Sequence, residues 1–142
     1  MIDADALCIH LNFLQEASLP EGDHSAVGCL DAIRQLCKDV KFPVIVKETG
    51  NGISREVASR LWDAGVAAID TGGMGGTSWA KIEGIRCTER GAAGDKAQRE
   101  LGDTLLTWGV PHAVCAFEVA RAAARPLITA GGLPQASDLA RR

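Results

Sequence analysis

Four short apolar runs divide the chain, and each leads directly into polar residues or glycines. They are Ala6-Leu7-Cys8-Ile9 before His10 and Asn12, Val44-Ile45-Val46 before Lys47-Glu48, Ala67-Ala68-Ile69 before Asp70 and Gly72, and Pro126-Leu127-Ile128-Thr129-Ala130 before Gly131-Gly132. A continuous apolar run, as opposed to an alternating one, is how a strand of a parallel sheet covered on both faces reads. Helical spacing fills most of the intervals. From about Ser25, Leu30, Ile33, Cys37 and Val40 recur on one helix face. After the Thr49-Gly50-Asn51-Gly52 turn, Ser54 is placed to cap a helix with the buried stripe Val57, Ala58, Leu61 and Trp62 and a left-handed end at Gly65. A further helix from about Pro111 is expected to turn Ala113, Phe117 and Ala120 inward. The polar stretch after Gly72, through Gly91, Gly94 and Asp95, reads as a long, mobile active-site loop.

Strand and helix in alternation specify an α/β fold with a parallel sheet. In a (β/α)-barrel, all the carboxyl ends of the strands lie on one face, and that face builds the active site. A doubly wound sheet collects the same polar residues at a switch point, so this pattern alone fits both. Length adds a constraint. A whole barrel takes eight strand-helix units and about 250 residues, whereas this chain has 142 residues. The expectation is one partial TIM (β/α)8 barrel domain over 1–142, about four parallel strands with intervening helices, truncated at both ends. Its two outer strands would be bare edges, which favours a homo-oligomer.

With 46% hydrophobic residues the chain has material for a core, and its net charge of −3 with scattered basic residues argues against nucleic acid or an anionic membrane surface as partner. The start, Met1-Ile2-Asp3-Ala4-Asp5, lacks the basic residues of a signal peptide, and no run approaches the ~20 apolar residues of a membrane span. A cytoplasmic location is expected. The five cysteines, Cys8, Cys29, Cys37, Cys87 and Cys115, contain no C-x-x-C pair and read as reduced, mostly buried thiols.

The segment His10-Leu11-Asn12-Phe13-Leu14-Gln15-Glu16 offers an imidazole, two amides and a carboxylate beyond a strand end. Such a set suits a diphosphate with Mg²⁺, which binds through one or two carboxylates plus phosphate oxygens; it equally suits a hydrogen-bonded strand end with a solvated Glu. Lys47 is either a cation aimed at an anionic ring or phosphate, or a partner of Glu48 or Asp70, or a side chain snorkelling to water. Gly72 to Thr77 supplies successive backbone N–H groups and a hydroxyl, a nest for an anion or a flavin edge. Gly131-Gly132 fits a phosphate site or a tight turn.

Taken in order, His10-Leu11-Asn12-x-x-Gln15-Glu16, Val46-Lys47-Glu48-x-Gly50-x-Gly52-Ile53-Ser54, Asp70-x-x-Gly73-x-Gly75-Gly76-Thr77-Ser78-Trp79, Trp108-Gly109-Val110-Pro111 and Ala130-Gly131-Gly132 resemble the type 2 isopentenyl-diphosphate isomerases, essentially end to end. The resemblance implies an FMN-dependent TIM barrel, of which this chain is strands four to seven. It implies interconversion of isopentenyl and dimethylallyl diphosphate with reduced FMN, Mg²⁺, and NAD(P)H to reduce the flavin. By position, His10 and Asn12 would contact the diphosphate, Gln15 would act with His10 at the substrate, Glu16 would hold Mg²⁺, and Trp79 would line the substrate region. Lys47, Gly72 and Thr77 would bind FMN, with its phosphate at Gly131, Gly132 and Leu133. Gly72 departs from the small Ser or Ala usual in that family. The family's basic N-terminal motif, its early Met-Thr-Gly-Gly flavin segment and its last strand have no counterpart here, so the chain alone is expected to be inactive and to hold FMN weakly or not at all. Two alternatives stand beside this one: an FMN barrel of the α-hydroxy-acid oxidase type, for which only His112 on a helix start is on offer and no strand-end Arg, and a non-enzymatic phosphate- or flavin-binding half-barrel.

Overall fold

The computed structural model describes residues 3–19, 21–90 and 95–132. Strands β1 (Leu7–His10), β2 (Val44–Lys47), β3 (Ala68–Asp70) and β4 (Leu127–Ile128) form one sheet in the order β1-β2-β3-β4, with every neighbour parallel. Helices α1 (Phe13–Ala17), α2 (Cys29–Asp39), α3 (Arg55–Asp63), α4 (Trp79–Arg90), α5 (Asp95–Thr104) and α6 (His112–Ala122) intervene, with a 3₁₀ turn at Leu105–Thr107. Sequential, parallel strands joined through helices are the arrangement of a partial (β/α) barrel.

Register explains which face is covered. Ile9, Val46, Ile69 and Leu127 align across the strands and share one core with Ile33 of α2, Ala58, Leu61 and Trp62 of α3, and Cys115 and Val119 of α6. The other face carries two rows, Cys8-Ile45-Ala68 and His10-Lys47-Asp70-Ile128. There Cys8 and His10 are exposed and Ile128 retains 43% of its surface. The expected cover on both faces is therefore corrected: among the described residues the helices pack one face, and β1 is a half-open edge, not a buried strand. A continuous apolar run cannot report which of its faces is covered.

Local expectations divide along the same lines. Ser54 caps α3 by accepting from Val57 N–H, and Gly65 takes φ 97° just beyond the helix. Val57 itself turns outward. In α6 the buried residues are His112, Cys115 and Val119, while Ala113, Phe117 and Ala120 face outward, a one-residue rotation that places the thiol against the β2–α3 turn. The helix after Ser25 begins at Cys29, and Phe13–Ala17 forms a short helix inside the first loop. Of the cysteines, Cys87 and Cys115 are buried, Cys29 and Cys37 partly so, and Cys8 is exposed.

The largest correction falls between β3 and α6. The stretch expected to be a mobile loop contains the helical pair α4 and α5. These helices meet through glycine: a Cβ on Gly102 would lie 2.7 Å from the Ala80 carbonyl and 3.4 Å from the Gly84 Cα. Lys81 pairs with Asp103 across the same contact. Small residues make a close crossing possible without a wide apolar stripe, which is why hydrophobic periodicity does not announce it. No helix among the described residues is long and apolar enough to cross a membrane.

Candidate functional site

A cleft of about 500 Å³ opens at the carboxyl ends of the strands, lined by His10, Gln15, Lys47, Glu48, Thr49, Gly72, Trp79, Ala130 and Gly131. That is within the range of small-molecule sites. It draws on all four strand ends, because β1, β2, β3 and β4 finish level with one another, His10 beside Lys47, Lys47 beside Asp70, and Asp70 beside Ile128.

Of the residues singled out from sequence, His10, Gln15, Lys47, Gly72, Trp79 and Gly131 come together here. Asn12, Glu16, Thr77 and Gly132 do not line the cleft. The Asn12 amide donates to Glu16 Oε1 at 2.6 Å, and Glu16 Oε2 accepts from Asp23 N–H at 3.3 Å, so this carboxylate is held on α1 beside the cleft. A carboxylate has about four lone-pair positions, which leaves Glu16 capacity for a cation. No group of three or more His, Cys, Asp or Glu able to hold a metal occurs among the described residues; a Mg²⁺ bound through one carboxylate and a ligand's phosphates would not need one. Thr77 is exposed, and Leu133 lies outside the described residues.

Two carboxylates that sequence reasoning assigned no site role complete the arrangement. Glu83 on α4 is 3% exposed, accepts from Arg86, and receives the Gln15 amide at 3.4 Å. It sits one helical turn from Trp79, and that i, i+4 relation was the signal available. Glu48 is 7% exposed, and its Oε2 accepts the N–H groups of Thr49, Gly50, Asn51 and Gly52 at 2.7, 2.9, 2.6 and 3.2 Å. Burial pushes the Glu48 carboxyl above the usual carboxylate range, while these four N–H groups pull it down. Successive N–H groups of this kind make an anion nest; this one is filled by the chain's own carboxylate. Lys47 is paired as well, donating from Nζ to the Glu48 carbonyl at 2.7 Å. An ammonium has three N–H donors, so donors remain for a ligand in the cleft.

The glycines answer to packing. A Cβ on Gly72, at φ 44°, would lie 2.2 Å from the Glu48 carbonyl oxygen, one on Gly73 2.6 Å from the His112 Cα, and one on Gly75 2.6 Å from the Gly132 Cα. The β3 and β4 loops thus meet backbone to backbone. At Gly72 there is no room for the Ser or Ala usual in the resembling family, so no side-chain hydrogen bond can come from that position. His112 is buried at the start of α6 and does not line the cleft, which leaves the oxidase alternative without its histidine.

No protein-family model matches the chain. Individual proteins match it along nearly its whole length. It is 54% identical to an isopentenyl-diphosphate delta-isomerase of Methanoregula boonei over 141 residues, 99% of this chain and 39% of that protein. It is 51% identical to the protein of the same name from Methanosarcina mazei, covering 99% and 37%, and 49% identical to that from Nostoc sp., covering 99% and 39%. The chain therefore spans a little over a third of the length of the curated relatives it matches.

Proposed function

We propose that this chain forms the strand-end wall of an FMN-dependent, type 2 isopentenyl-diphosphate isomerase, working within a longer polypeptide to interconvert isopentenyl and dimethylallyl diphosphate in isoprenoid biosynthesis. The observation that carries the reading is the cleft itself. It gathers an imidazole, an amide, an ammonium and an indole where a chain about half identical to named isomerases ends its strands.

Moving a double bond by one position takes a proton added at one carbon and one removed from its neighbour; reduced FMN, kept reduced by NAD(P)H, would supply that acid–base chemistry when bound. The residues here bind and orient. Lys47 offers its remaining N–H donors to an anionic ligand. His10 offers a ring nitrogen to the diphosphate, and Asn12 reaches the same region through Glu16, whose carboxylate would take Mg²⁺. Gln15, steadied by the Glu83 carboxylate, presents its amide to the substrate, and Trp79 gives an apolar wall that excludes water from the reacting carbons. Gly131, exposed at the cleft, would receive the FMN phosphate, with Gly132 exposed beside it.

The test is a chimera in which this chain replaces the matching 141 residues of the Methanoregula relative. On this reading it retains FMN, seen as flavin absorbance after gel filtration, and Lys47→Met weakens that binding; a folded chimera without flavin would refute it.

A further inference from the structure

We propose that Glu48 is a positioning residue, its carboxylate fixing the peptide that aims the Lys47 ammonium into the cleft; this rests on the cofactor reading above for what Lys47 binds, but not for how it is held. Lys47 ends β2, and its Nζ is bonded to the main-chain oxygen of the next residue. A lysine side chain has four rotatable bonds and finds one orientation only if its acceptor is itself immobile. The acceptor here is fixed from three directions. Glu48 N–H donates to the Asp70 carbonyl at 3.1 Å, which ties the residue that bears the acceptor to β3. Gly72 closes over the same carbonyl so tightly that a single added carbon would lie 2.2 Å from it. The Glu48 side chain folds onto the following turn, where one oxygen gathers four consecutive N–H groups.

The third constraint has a chemical consequence. Main-chain N–H groups at a strand end ordinarily offer themselves to a ligand's phosphate. Those of residues 49–52 are already taken by Glu48, so the turn is closed to an external anion, and Lys47 is the one lysine or arginine that lines the cleft among the described residues. Glu48 thus does two things: it removes a competing anion site and directs the ammonium past it. A neutral amide in its place would meet the same four N–H groups with an uncharged oxygen, and each bond would lose its charge assistance. The turn would loosen, and with it the carbonyl that holds Nζ.

Glu48→Gln tests this on the 142-residue chain through the side-chain ¹⁵Nζ resonance of Lys47. In the wild-type protein, a bonded ammonium exchanges slowly with water and gives an observable signal; in the variant, the signal is lost. In the chimera, Glu48→Gln is expected to weaken FMN binding about tenfold, the scale of one charge-assisted hydrogen bond, and to weaken it no further when Lys47 is already Met. Should Glu48→Gln fail to fold, Glu48→Asp serves, because a carboxylate withdrawn by one methylene keeps the charge but cannot reach the whole turn. Persistence of the Lys47 signal in the variant, or losses that add in the double variant, would overturn the proposal. If no chimera binds FMN, the cofactor reading falls, and the lysine resonance still decides the role of Glu48.

Discussion

Replacing Gly72 by alanine isolates the contact that closes the floor of the cleft. Two costs combine. At φ 44° the backbone is in the left-handed region, where a Cβ costs about 1 kcal/mol or slightly more. The new Cβ would also stand 2.2 Å from the Glu48 carbonyl oxygen and 2.4 Å from its carbon. Backbone cannot rotate away as a side chain can, so the β2 and β3 ends must separate by the best part of an ångström, an overpacking cost of about 1–3 kcal/mol. The sum is about 2–4 kcal/mol, a large share of the ~5–15 kcal/mol that holds a typical domain folded. Gly28→Ala is the control, because Gly28 has φ 79° but nothing within 4 Å of an added Cβ; it should cost only the left-handed strain of about 1 kcal/mol. Urea unfolding of both variants, followed by far-UV circular dichroism and the fluorescence of buried Trp62, gives the comparison. With a slope of about 2 kcal/mol per molar, Gly72→Ala should lower the midpoint by about 1–2 M, and Gly28→Ala by about 0.5 M. Equal midpoints for the two would refute the close approach of Gly72 to Glu48.

Leu61→Ala should cost about 2–5 kcal/mol, since Leu61 is almost wholly buried in the helix-covered core, whereas Phe117→Ala should cost under about 1 kcal/mol despite the size of the ring; thermal melts of both distinguish the observed rotation of α6 from the one expected by sequence. Burial pushes the Cys115 thiol above its ordinary value. A group raised on folding contributes stability that is whole below its unfolded pKa and is lost as pH climbs toward the folded one, so stability should fall above about pH 9 by up to ~1.4 kcal/mol per unit from this thiol. Cys115→Ala should flatten that alkaline limb; an unaltered limb would contradict the assignment. In the chimera, Glu16→Gln should raise the Mg²⁺ concentration needed for turnover and leave flavin binding unchanged, because a hard cation loses a carboxylate while the flavin contacts stay; an unchanged Mg²⁺ dependence removes Glu16 from the metal.

How much of this was legible depended on whether the signal was local. The four strands were, because apolar runs ending in His10, Lys47, Asp70 and Gly131 mark both the strand and its carboxyl end. Ser54 and Gly65 were legible for the same reason, each satisfying a helix end through its own backbone or side chain. The α4–α5 pair was not. Its contact is made by Gly84 and Gly102 against backbone, and glycines inside a charged stretch read as a loop. The rotation of α6 escaped because that helix is apolar nearly all round, so the pattern names a helix without naming its inner face. Glu48 illustrates a further limit. The sequence offered it as an ion-pair partner for Lys47, but Lys47 bonds the Glu48 carbonyl instead, and the carboxylate turns to four N–H groups that only the folded turn brings within reach. Glu83 is hidden likewise, since its spacing from Trp79 carries meaning only where the stretch is known to be helical.

Whether these residues form one wall of an isopentenyl-diphosphate isomerase is decided by turnover. The chimera carrying this chain within the Methanoregula protein, given FMN, NAD(P)H and Mg²⁺, should interconvert isopentenyl and dimethylallyl diphosphate, and should lose that activity on Gln15→Ala while keeping its flavin; the 142-residue chain alone should show none. A folded, flavin-loaded chimera with no turnover, or turnover untouched by Gln15→Ala, would contradict it.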